Sequence, residues 1–146
     1  MGKQEEVDFK LVGSRTKKIY FDADQLSESH NQMAVQIKSN MQLKMNENNE
    51  QQLLKFVNII GIKSPKTEKN IFDVTIETIY LINTEINISG DKLKEMIENS
   101  TSLKKKLGDP VINILVDDFS SVTIRANGNP SILPKDKIEK ILFQDM

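Results

Sequence analysis

Apolar and polar residues alternate in four separate stretches of the first 83 positions. In "VDFKLVGSRTKKIYFD", residues 7–22, Val7, Phe9 and Leu11 fall at every second position. Gly13 and Ser14 interrupt the pattern and Ile19–Phe21 resume it, which predicts a long strand with a bulge or bend at Gly13. Residues 33–45, "MAVQIKSNMQLKM", put Met33, Val35, Ile37, Met41, Leu43 and Met45 on one side. Gln36, Lys38, Asn40, Gln42 and Lys44 take the other, as in a half-buried strand. Residues 53–63, "LLKFVNIIGIK", are β-rich and apolar on both faces. Residues 71–83, "IFDVTIETIYLIN", align Phe72, Val74, Ile76, Tyr80 and Ile82. Asp73, Thr75 and Glu77 lie opposite, and Ile79 and Leu81 then make that side apolar as well.

Beyond residue 88 the period lengthens to that of a helix. "SGDKLKEMIENSTSLKKKLG", residues 89–108, places Leu93, Met96 and Ile97 on one side of a short helix. Asp109 then offers an N-cap and Pro110 a first helical position, where its missing N–H costs nothing. Ile112, Leu115, Phe119, Val122 and Ala126 follow at steps of three and four, and Asn127-Gly128 with Pro130 end the element. A last helix, "PKDKIEKILF", aligns Ile138, Ile141 and Leu142. The expected architecture is α+β: a four-stranded antiparallel sheet, drawn as a meander because the connections are short, packed against C-terminal helices. Residues 1–146 are expected to form a single domain.

Composition narrows the chemistry. The chain has no cysteine, which excludes disulfides and thiolate catalysis, and its formal net charge of −1 gives no global basic field for nucleic acid. Apolar runs are too short to span a bilayer, and a cytoplasmic location is expected. His30 is the single histidine and sits in a polar stretch without partners. Asp117 and Asp118 are sequence neighbours, so on a helix they diverge by about 100° and share no proton. Asp22 and Asp24 lack the glycine and further oxygen ligands of a calcium loop. The lysines of "SLKKKLG" have no aromatic neighbours for stacking bases. No phosphate-binding loop or nucleophile elbow occurs. The sequence therefore argues for no enzyme, metal or cofactor.

Apolar surplus is the more informative feature. Ile114 and Ile124 project from the side of the long helix opposite Phe119, and Val57, Ile59, Ile79 and Leu81 add a second apolar sheet face. A few helices cannot cover both sheet faces, so the excess points to self-association or a binding surface, unless the strands bend at Gly61 and hide part of it.

The order of elements and several local patterns resemble the SecB family of protein-export chaperones over roughly residues 7–143. "RTKKIYFDA" is similar to the family's first strand, "IETIYLI" to its last, and "IRANGNPSILP" to the passage from long helix to final helix. The resemblance implies a SecB-like, ATP-independent chaperone or holdase that assembles as a dimer of dimers and binds unfolded clients in hydrophobic grooves. On that reading the client surface is drawn from Leu93, Met96, Ile97, Ile132, Leu133, Ile138 and Leu142, each of which could equally be core. Ile114 and Ile124 then serve the oligomer interface. The family's contact with the translocase ATPase SecA maps onto Asp22, Ile71 and Asp73, whereas Lys18 stands where an acid is expected and the acidic tail is missing. The alternative is a dedicated interaction module on the same fold, an antitoxin-specific chaperone or a mobile-element inhibitor of a host protein. A small-ligand binder or enzyme would need convergent polar residues that the sequence does not supply.

Overall fold

The computed structural model describes residues 7–22, 35–45, 51–63, 69–83, 87–127 and 135–143, the side chains of 124–127 and of Lys137 excepted. Strands β1 (Asp8–Phe21), β2 (Val35–Met45), β3 (Gln52–Lys63) and β4 (Asn70–Asn83) precede helices α1 (Gly90–Glu98), α2 (Thr101–Asn127) and α3 (Lys135–Leu142). All strand pairs are antiparallel. The sheet and its C-terminal helices match the fold class expected from the sequence.

The strand order is not that of a simple meander. It runs β1-β4-β3-β2. Strands β2 to β4 form a meander, and β1 returns to pair with β4 in a Greek-key arrangement. Alternation reports which residues share a face but not which strand lies alongside, so this order was invisible in the periodicity. The bulge expected near Gly13 is present: the β1–β4 register shifts between Leu11 and Gly13, and Gly13 has φ 158. A second shift falls between Thr16 and Lys18.

One face of the sheet supplies the core. Leu54, Phe56, Ile60 and Ile62 of β3 are buried with Phe72, Val74, Ile76, Tyr80 and Ile82 of β4. Against them α2 sets Leu107, Val111, Leu115, Phe119 and Val122, spaced to lie on one helical side. Phe72 and Phe119 meet edge to face with ring centroids 5.3 Å apart, and Phe56 meets Tyr80 at 6.0 Å and Phe143 at 6.1 Å. These T-shaped contacts suit the ring quadrupoles.

Polar groups set where the helices begin. Gln52 clasps the backbone at Ile88, its Nε2 donating to Ile88 O at 2.8 Å and its Oε1 accepting from Ile88 N at 2.8 Å. The Ser89 side chain then caps α1 by accepting from Lys92 N. Ser100 caps α2, its Oγ accepting from Leu103 N at 3.1 Å.

That cap overturns one expectation. Asp109 does not start the long helix; α2 starts at Thr101 and runs through Pro110. Leu103, Leu107 and Val111 continue the buried face across the proline, and their packing outweighs the lost Lys106 hydrogen bond. Gly108 lets α3 approach: a Cβ there would lie 3.2 Å from Phe143 Cε2.

Candidate functional site

The sheet's second face carries none of the described helices, and its register can be read from the strand pairs. Partners across an antiparallel ladder point to the same side. Glu77 pairs with Arg15 and Val57, so it faces away from the helices at the sheet centre. Lys55 Nζ lies 2.8 Å from Glu77 Oε2, Arg15 Nη2 lies 3.3 Å from the same oxygen, and Lys17 Nζ lies 3.3 Å from Oε1. The bulge between Thr16 and Lys18 is what allows Arg15 and Lys17 both to reach it.

These cations cover Glu77, whose side chain is 1% exposed, while Arg15 and Lys17 stay 65% and 60% exposed. Hydrogen bonding from Lys55 is the largest influence on the carboxyl and outweighs its desolvation, so the pKa falls to about 2. One carboxylate among three cations leaves the centre of the face positive. Lys18 and Asp73 form a neighbouring pair at 3.5 Å.

Strand β1 is an edge. Its free side pairs with no described strand. Leu11, Val12, Ile19, Tyr20 and Phe21 are exposed along it, Val12 to 58%. The strand is held down by Asp8, which pairs with Lys106 at 2.9 Å, and by Thr16, whose hydroxyl donates to Asp118 at 3.4 Å. Burial raises the Asp118 pKa, with Thr16 opposing and Asp117 adding to the shift.

Between the opposite edge and the helices runs a small groove of about 190 Å³, lined by Ser39, Asn40, Met41 and Leu43 of β2, Gly90, Leu93 and Lys94 of α1, and Leu142. It is below the roughly 300–1,000 Å³ of small-molecule sites. A cleft of about 570 Å³ between α2 and α3 is lined by mixed charges, including Lys104, Asp109, Asp136 and Glu139. No metal-binding cluster of His, Cys, Asp or Glu occurs among the described residues.

The residues expected to bind client are placed differently. Leu93, Ile97, Ile138 and Leu142 are core side chains, no more than 4% exposed. Sequence alone does not separate the two, because an amphipathic helix looks the same whether its apolar side meets the chain's own sheet or a partner. Leu93 and Leu142 line the groove with little exposed surface, and Met96 is half-buried. Ile132, Leu133 and His30 lie outside the described residues.

Ile114 is half-buried and packs against the protomer's own core; the Ile124 side chain lies outside the description. Asp22, Ile71 and Asp73 do come together at one corner, where Asp22 N donates to Ile71 O at 2.8 Å. Ile71, the aliphatic neighbour of the two acids, is buried there, and Asp73 is paired with Lys18. The cluster around Glu77 was missed. Its polar face on β4 is readable in the sequence, but its cations come from β1 and β3 through pairings that are not.

Buried polar atoms mark a further irregularity. On the helix-facing side, Ser39 pairs across the sheet with Asn58. Asn58 is fully buried and neither its Nδ2 nor its Oδ1 has a hydrogen-bond partner.

No family model matches the sequence, and no curated protein matches it. Among solved structures, it is similar to a SecB-like chaperone from Mycobacterium tuberculosis solved in complex with a peptide from an antitoxin. Identity is 10%, coverage is 90% of this chain and 88% of the other, and the TM-score is 0.49. A protein of unknown function from Streptococcus agalactiae gives 15% identity, 90% and 99% coverage, and a TM-score of 0.48. Both are likenesses of fold. No described helix is long and apolar enough to cross a membrane.

Proposed function

We propose that this protein binds polypeptide segments without ATP, as a SecB-like chaperone or holdase. The β1 edge carries the reading. Exposed Leu11, Val12, Ile19, Tyr20 and Phe21 stand beside main-chain groups that no described strand satisfies. An extended client can add a strand there, with main-chain bonds supplying affinity and alternate side chains resting on the apolar residues. Such recognition tolerates many sequences.

A second copy of the chain could use the same edge, which is how the reading accommodates the homo-oligomer that the sequence leads one to expect. Light scattering separates the two uses. An oligomer that persists while client binds leaves the edge to the second copy.

The test is suppression of aggregation of a chemically unfolded client, with hydrogen exchange followed in β1. Suppression with slowed exchange of the β1 amides is expected. If clients aggregate unhindered and β1 exchange is unchanged, the reading fails.

The second reading, a module dedicated to one partner, is favoured by the cationic centre of the open sheet face. Charge complementarity selects partners rather than admitting all of them. One stoichiometric co-purifying protein, with generic clients ignored, is its expected signature.

A further inference from the structure

We infer that the sheet face opposite the described helices is a second docking surface, and that its occupant is an acidic amphipathic segment of another protein. The inference goes beyond polypeptide binding at the β1 edge: it concerns the outward side chains of the whole sheet, not the free main chain of that strand.

The chain as a whole carries a net charge of −1, yet this face is positive. Along its β1 side stand Lys10, Arg15, Lys17 and Lys18. Along its β2 side stand Lys38 and Lys44, whose ladder partners Ile59 and Leu53 face the same way. Lys55 sits between these two rows. Against these seven cations the face sets the carboxylates of Asp73 and Glu77, with Asp22 at a corner. Glu77 and Asp73 already carry cations. Asp8, at the opposite corner, is engaged by Lys106 of α2.

Between the two cationic rows, apolar side chains flank the Lys55–Glu77 ion pair. Val57 and Ile59 of β3 and Ile79 and Leu81 of β4 point outward; Ile59 is 37% exposed and the other three are half-buried. The rows lie on the outermost strands, three strand spacings or roughly 14 Å apart. A helix about 10–12 Å wide fits between them. Its apolar side would rest on the central strip and carboxylates on its two flanks would reach the lysines. Nucleic acid suits the face less well. The strip is aliphatic, and Tyr20 is the exposed aromatic near it, so it offers little platform for stacking bases.

The probe is a synthetic helical peptide of about 18 residues, ~27 Å long, with a leucine stripe flanked by glutamates. Fluorescence anisotropy should show a micromolar-range Kd at 50 mM salt, weakening at least about tenfold by 300 mM as exposed charges are screened. Lys38→Glu/Lys44→Glu should weaken binding by about tenfold or more, because it reverses one row at exposed positions. Lys38→Gln/Lys44→Gln removes the charge alone and keeps the test readable if reversal loosens the edge strand. A peptide of equal charge with its leucines replaced by glutamine should bind at least about tenfold more weakly. Equal binding of that peptide, tighter binding of single-stranded DNA of the same length, or indifference to the β2 substitutions would overturn the inference. Client suppression at β1 is predicted to survive those β2 substitutions, so the failure of one proposal is distinguishable from failure of the other.

Discussion

The Tyr80 hydroxyl donates to the carbonyl of Leu107 at 2.7 Å, a buried bond that pins α2 to the centre of the sheet three residues before Pro110. Desolvation, with a smaller contribution from Asp109, pushes the Tyr80 pKa up to about 12. Replacing Tyr80 with Phe should cost about 1 kcal/mol at neutral pH. The folded state disfavours the tyrosinate, so this group's stabilisation is complete below pH 10 and is lost as pH rises towards 12. The gap between wild type and Tyr80→Phe should therefore close over that interval, since the remaining groups titrate in both. Chemical denaturation at a series of alkaline pH values measures it; a constant gap would remove Tyr80 as the cause.

Glu77 has the opposite linkage. Its folded pKa of about 2 lies below the ordinary carboxylate value of 4.5. Its stabilisation is present above pH 4.5 and disappears as pH falls towards 2. Glu77→Gln should lose about 1–2 kcal/mol at pH 7, a moderate figure because Arg15 and Lys17 are largely solvated. Denaturation midpoints of wild type and variant should converge between pH 4.5 and 2.

Asn58 is buried in the sheet with both amide atoms unpaired. An unpaired buried polar group costs about 1–3 kcal/mol, and leucine has nearly the same shape. Asn58→Leu is expected to raise the melting temperature. No gain, or a loss, would show that the amide has a partner in solution.

Pro110 leaves the Lys106 carbonyl without its helical donor. Pro110→Ala should stabilise the protein by about 1–2 kcal/mol, the helix gain being partly offset by a freer unfolded chain. Thermal unfolding reads this directly, and an unchanged Tm would mean that the proline's own packing matters as much as the missing bond.

Local periodicity was enough to determine the four strands, their inward residues Phe72, Val74, Ile76, Tyr80 and Ile82, the bulge at Gly13, and helical faces such as Leu115-Phe119-Val122, because each depends on neighbours within a few positions. It also placed Glu77 on the polar side of its strand. Tertiary structure decided the rest. Pairing of β1 with β4 brought Arg15 and Lys17 to Glu77 across 62 and 60 positions of chain, and no period encodes such a meeting. Packing along Leu103, Leu107 and Val111 carried α2 through Pro110, against the local stop signal. Burial of Leu93, Ile97, Ile138 and Leu142 turned an expected client surface into core. An apolar stripe records only that it must be covered, and the three-dimensional arrangement decides whether the same chain or a partner covers it.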